Sequence, residues 1–234
     1  YTGKLESLPC LVEDYVYDDL ASVPKQHIYA GLNNLFGEVT WFYPGSGSSS
    51  NNRSVTYNYM DSTGDRPVWT TSSLARSSWS DSHIFGKPHA TDYDDDATSD
   101  TTVGNTDGVT IYYEHETGVN QIKAGTASAI AANIQTGDFD LDHKGLDGDG
   151  EFIMKIRRIL PDFLSQTGNA IVTLNLKNYP SDSQASSSLG PFTVSTSTTK
   201  VDTRARGRAV ALKVSNDSVG QHWKLGTFRL DIQP

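Results

Sequence analysis

Two groups of charged side chains in this sequence have spacing suited to chemistry, and the chemistry differs between them. Carboxylates crowd the run DFDLDHKGLDGDGEF as Asp138, Asp140, Asp142, Asp147, Asp149 and Glu151. Alternating Asp residues can supply oxygens to a hard cation such as calcium, which takes about six to eight of them. The EF-hand loop needs Gly at its sixth position, however, and His143 stands there when Asp138 is the first. The run therefore reads as a solvated acidic turn between strands, with no metal assigned. A second acidic group, Asp92, Asp94, Asp95 and Asp96, sits in ATDYDDDATSDTTVGNTD, which reads as one long polar loop. Opposite in sign, TRARGRAVALKVS places Arg204, Arg206 and Arg208 at alternate positions, followed in the same phase by Val210, Leu212 and Val214. On one strand these would share a face, an arginine strip suited to phosphate or to carboxylates within or between subunits.

Signatures of catalysis do not emerge from the remaining residues. PGSGSSS lacks the spacing of a nucleophile elbow, and no phosphate-binding glycine motif occurs. His115-Glu116 begins like a zinc-protease helix, but position 119 is Val and the segment follows a strand-like run. The six His residues are scattered without metal-ligand spacing. The lone Cys10 has no internal disulfide partner and is expected to be a buried small apolar residue, with a reducing compartment as the simpler setting. A protein that is not an enzyme, with no cofactor, is the expectation.

The elements that must position these groups read as strands. Val39, Trp41 and Tyr43 alternate with Thr40 and Phe42, and Val55, Tyr57 and Tyr59 alternate with Thr56 and Asn58, so residues 45–52 become a hairpin loop. Further strands are expected over 67–73, 74–79 and 108–114. Later ones carry Phe152, Met154 and Ile156, then Val172, Leu174 and Leu176, then Val210, Leu212 and Val214, then Phe228, Leu230 and Ile232. Only residues 15–22 and 127–134 offer helical windows, and the second is equally consistent with a strand.

Charge divides the chain as well. Residues 1–123 hold 17 acidic and 7 basic side chains, and residues 124–234 hold 11 and 12. That asymmetry, with a total of −9, predicts two modules and disfavours a nucleic-acid clamp. The fold expected is all-β: propeller-like antiparallel blades over 1–123, then an antiparallel sandwich-like module over 124–234. No exact internal repeat accompanies the blades. No apolar run is long enough to span a membrane, and the first residues lack the pattern of a signal peptide. The chain starts without Met, as a processed product or a piece of a longer polypeptide would.

Taken in order, several segments are similar to those of one family. They are VTWFYP with its Ser-rich loop, Arg53 with SVTYNY, VWT, LARSSW, YEHETG, GDFD, RRILPDF, RGR and WKLGTFRLDI. The series resembles the C-terminal part of the tail hub or nozzle protein of short-tailed bacteriophages, also called the packaged-DNA stabilisation protein. Residues 70–73 and the longer run 91–107 depart from that pattern. The resemblance implies a β-propeller-like body assembled as a homo-oligomeric, six-fold ring below the portal. Its neighbours would be portal or adaptor and fibre proteins, and double-stranded DNA would pass through it. The protein would then reside in the virion after assembly in the host cytoplasm.

On that reading Asp92, Asp94, Asp95 and Asp96 are expected to face the channel, and Arg204, Arg206 and Arg208 to serve intersubunit or DNA contact. Two other functions compete. A carbohydrate- or receptor-binding β-module would use exposed aromatics, but Trp41, Trp69, Trp79 and Trp223 lie in strand-like runs and are expected to be core or interface residues. A glycosidase would need a carboxylate pair in an apolar cleft, whereas the acidic groups here lie in polar runs.

Overall fold

In a computed structural model of the chain, the described residues are 3, 7–22, 27–83, 85–94, 109–123, 125–141, 150, 152–179, 181–182 and 184–233. They form antiparallel strands and one short helix, and the chain divides into two compact units, Tyr1–Thr117 and Gly118–Pro234.

The first unit contains helix α1 (Glu13–Asp19) and a meander of β1 (Tyr29–Asn33), β2 (Glu38–Tyr43), β3 (Arg53–Thr63) and β4 (Arg66–Ser72), paired in sequence order. Period-two alternation sorts the aromatics of the meander onto its two faces. Phe42 is fully buried and stacks on Tyr29 of the neighbouring strand, with ring centroids 5.1 Å apart. On the opposite face Trp41, Tyr57 and Trp69 form a cross-strand ladder, with centroids 6.0 Å apart for the two Trp rings and 4.8 Å for Tyr57 and Trp69. The predicted hairpin is present: Tyr43 pairs with Arg53, and the polar residues between them connect β2 to β3.

A second sheet of this unit pairs β5 (Ser78–Ser80), β6 (His89–Asp94) and β7 (Val109–Glu114). Trp79 of β5 joins the two sheets, packing against Phe42 at 5.5 Å and donating its indole N–H to the Leu32 carbonyl at 2.7 Å. Gly31 makes this approach possible, since a Cβ there would lie 2.5 Å from the Trp79 ring.

The second unit contains β8 (Asn120–Lys123), β9 (Thr126–Ala129), β10 (Ala132–Gln135), β11 (Met154–Leu160), β12 (Phe163–Thr167) and β13 (Ala170–Lys177). It continues with β14 (Ser187–Val194), β15 (Val201–Gly207), β16 (Ala209–Asn216), β17 (His222–Leu225) and β18 (Arg229–Gln233). Its main sheets have the orders β10-β16-β13-β14 and β15-β11-β18, and two-stranded pairs β8-β9 and β12-β17 complete it. Strand β13 alternates strictly, burying Ala170, Val172, Leu174 and Leu176. These meet Met154, Ile156 and Ile159 of β11 and Val210, Leu212 and Val214 of β16 in one apolar cluster shared by the two main sheets.

Several sequence-based boundaries change. Residues 74–77 are irregular, because the chain turns inward there to bury Arg76, and only Ser78–Ser80 enters a ladder. The window at 127–134, open to helix or strand in the sequence, holds strand: β9 and β10 pair with β8 and β16. Helix α1 stops at Asp19, because Leu20 turns extended and bridges Gly45. Strand β11 starts at Met154 rather than Phe152. Cys10 is exposed rather than buried, since it lies in an irregular stretch ahead of α1 in which residues 7–11 are all exposed. Among the described residues, no helix is long and apolar enough to cross a membrane.

Candidate functional site: a basic sheet face

The arginine strip expected on a single strand is split. Arg204 and Arg206 belong to β15, whose Ala205 and Gly207 point into the core. The chain breaks at Arg208, and Val210, Leu212 and Val214 belong to β16 in the other main sheet. The break follows from burial on both sides of it, since Ala209, Val210, Ala211 and Leu212 are all buried in succession and cannot extend an alternating half-exposed strand. Arg208 reaches back to donate to the Gly150 carbonyl at 3.2 Å. It therefore acts within the fold, while Arg204 and Arg206 remain exposed.

The partners of Arg204 and Arg206 come from β11. Ile156 and Ile159 are both fully buried although they are three residues apart, which strict alternation forbids. A register shift between Ile156 and Arg158, against both β15 and β18, resolves the conflict. It leaves both Arg157 and Arg158 outside the core. Thr203 supports the irregularity by donating its hydroxyl to the Ile156 carbonyl at 2.6 Å.

The outcome is a groove of about 610 Å³ on the outer face of the β15-β11-β18 sheet, lined by cations from both strands. Arg158 is held in it between two carboxylates: Nε donates to Asp202 Oδ1 at 2.7 Å, and Nη1 lies 3.7 Å from Asp231 Oδ2. Lys200 adds a contact to Asp202 at 3.3 Å. The hydrogen bond from Arg158 holds the Asp202 carboxyl below the usual carboxylate range.

Among the described residues, Lys155, Arg157, Arg204 and Arg206 have no carboxylate within ion-pair distance. Lys155 also stands directly opposite Arg206 in the ladder. Like charges in that relation destabilise a sheet, so local folding stability does not account for the arrangement. The sequence did hold a signal for the missed cations: in MKIRRIL the apolar spacing of three around Arg157-Arg158 marks the slip.

The acidic residues are distributed differently from the expected loop. Asp92 and Asp94 lie in β6, because this segment pairs residue by residue with β7. Asp92 is half-buried, and its charge bears on Arg76 and Tyr29. Asp95 and Asp96 lie outside the described residues. In the Asp-rich run, residues 142–149 and 151 also lie outside them, while Asp138 pairs with Lys177 at 2.5 Å. Asp140 is fully buried rather than solvated, because it accepts the backbone N–H of Gly150.

A second polar cluster lies inside the first unit. Arg76 is only 6% exposed; its guanidinium stacks 3.9 Å from the Tyr113 ring centroid, and its Nε donates to His115 Nε2 at 3.0 Å. An arginine only donates, so His115 accepts at Nε2 and is neutral. Burial, then the charge of Arg76, then His89, hold the His115 imidazole down at about 4. Trp79 covers the ring at 4.6 Å, and burial raises the Tyr29 phenol above its ordinary range. With its cation stacked and its imidazole capped, this cluster ties β5, β6 and β7 together. Among the described residues, no group of three or more His, Cys, Asp or Glu is placed to hold a metal ion.

The aromatic ladder is half-buried, and Trp69 Nε1 donates to the Pro9 carbonyl at 2.9 Å, which draws the N-terminal stretch to its edge. Comparison with protein-family models and with curated proteins finds no match to this chain.

Proposed function

We propose that this chain is a structural subunit of the ring-shaped tail hub or nozzle of a short-tailed phage, which retains packaged double-stranded DNA and forms the conduit for its ejection. The observation that carries the reading is the separation of charge onto two units, with four cations of one sheet face, Lys155, Arg157, Arg204 and Arg206, lacking an ion-pair partner among the described residues of a chain whose net charge is −9. Such a molecule is suited to meet copies of itself, and the ordered series of segments resembling the hub family gives that assembly a setting. The four-stranded meander β1–β4 has the strand order of a propeller blade, and the shared core of the second unit fits a sandwich. The ring would be a hexamer seated against portal or adaptor proteins and contacted by fibres, with DNA passing without tight binding.

Light scattering and electron microscopy of the purified chain test the reading. A closed ring is the expected particle, whereas a monomer at every concentration overturns it.

One observation favours a second reading, a carbohydrate- or receptor-binding module: the stacked Trp41, Tyr57 and Trp69 rings offer a face on which a sugar can stack. Quenching of tryptophan fluorescence by host-surface oligosaccharides, abolished in Trp69→Ala, would select it over the structural role.

A further inference from the structure

We infer that the basic groove of the second unit docks helix α1 of a second copy of this chain. The inference rests on the homo-oligomeric reading above and names the contact that would build the oligomer.

Among the described residues, both surfaces carry charged side chains that have no ion-pair partner. On the sheet, Lys155 faces Arg206 directly, with Arg157 and Arg204 beside them in the same groove. On the helix, half-buried positions recur at Val12, Val16, Asp19 and Leu20, the spacing of a helix lying on one side. That side is anchored: Asp19 Oδ2 lies 3.0 Å from Arg53 Nε, and Ala21 N–H donates to the Pro44 carbonyl at 2.9 Å. The opposite side presents Asp14, Tyr17 and Asp18, three and four residues apart and therefore neighbours on one exposed face.

Asp14 and Asp18 repel one another at this spacing, and α1 has no basic residue in its last turn to offset the carboxylates there. Among the described residues neither has an ion-pair partner. A seven-residue helix with no buried residue and like charges along its outer face gains little from its own chain.

The two faces match in spacing as well as in sign. Carboxylates one helical turn apart are separated by about 6 Å at Cβ. Cations two residues apart on a strand, as Arg204 and Arg206 are, stand about 7 Å apart. One acidic pair therefore spans one basic pair. Tyr17, 67% exposed beside the two carboxylates, offers a ring on which a guanidinium can stack. A nucleic acid fits less well, since its continuous line of phosphates would run past Arg204 and Arg206 onto Asp202 and Asp231, whereas a single pair of carboxylates need meet only the arginines.

The helix and the groove are different patches, so each copy gives its helix to one neighbour and its groove to the other. Repetition of a heterologous contact closes a ring when the rotation allows it.

The test compares the full wild-type chain with Arg204→Glu/Arg206→Glu, with Asp14→Lys/Asp18→Lys, and with all four changes together, by sedimentation at several concentrations and at low and high salt. Expected results are concentration-dependent association of the wild type that weakens with salt, a loss of about 30-fold or more in affinity for each double variant, and recovery in the quadruple variant, where both charges are exchanged. Circular dichroism on each variant separates lost contact from lost fold, and the recovery arm makes the same separation independently. Association that persists unchanged in both double variants overturns this contact and leaves the ring standing. A wild type that stays monomeric at every concentration overturns both. Capture of a short DNA duplex by the wild type, lost in Arg204→Glu/Arg206→Glu, reassigns the groove to nucleic acid and overturns the contact.

Discussion

His115 shows how one buried pair sets a pH response. The unfolded chain takes up a proton at this ring near the ordinary value of 6.5, while the folded chain refuses it until about 4, because burial and the adjacent Arg76 disfavour a second cation. Stability from this group is therefore fully present above about pH 6.5 and is lost as the pH falls toward 4. After discounting for the partly exposed ring, the loss amounts to about 1–2 kcal/mol. His115→Gln keeps an acceptor for Arg76 but cannot titrate. Urea unfolding at pH 7 and 4.5 should give a smaller difference in the variant than in the wild type. An unchanged difference would place the proton uptake elsewhere. Nothing in the local sequence announced this pair, since Arg76 and His115 are 39 residues apart and meet only once β6 pairs with its neighbours on both sides.

At the scale of the element, the β15-β11-β18 sheet keeps like charges opposed where packing alone would favour neutral partners. Replacing Lys155 by Thr removes one of the opposed charges and substitutes a good strand former, so the variant should be more stable by about 0.5 kcal/mol. A thermal melt checks it, and a lower midpoint would mean that Lys155 holds the sheet together instead of being tolerated by it. The strands themselves were largely legible: the alternation of Val172, Leu174 and Leu176 reads directly as β13, and the aromatic pattern around the Ser-rich loop as the β2–β3 hairpin. Irregularities were less so. Strict alternation misses the slip at Arg157-Arg158, and the composition of residues 126–135 suits helix and strand alike until β8 and β16 supply partners. The groove followed the same rule, with Arg204 and Arg206 visible in sequence and the β11 side hidden by the slip. Acidic runs misled because a carboxylate-rich segment can still pair through its backbone, as β6 does.

Across the whole molecule, charge decides how a conduit built from this chain would treat DNA. Tyr1–Thr117 contains 17 acidic against 6 basic residues, a net −11, while Gly118–Pro234 contains 11 against 13, a net +2. Each cation that neutralises a phosphate adds salt-dependent affinity, so a bore lined by arginines would hold the duplex in place. A bore lined by carboxylates repels phosphate and leaves a hydrated gap through which DNA slides. If the basic groove is occupied by a neighbouring helix, its arginines are withdrawn from the lumen, and Asp94, Asp95 and Asp96 remain the candidates to face it. Asp92 is set apart from them, because its charge supports the buried Arg76 and its removal would perturb the fold. The assembled protein should therefore bind a duplex at about 0.15 M salt no more tightly than roughly 0.1 mM, the weak end of non-specific binding. If the chain is the hub subunit proposed above, replacing Asp94, Asp95 and Asp96 together by Asn should strengthen that binding several-fold and slow DNA release from the assembled tail. Micromolar binding by the wild type that falls steeply with salt, or a triple variant indistinguishable from it, would put the arginines and not the carboxylates on the DNA side of the wall.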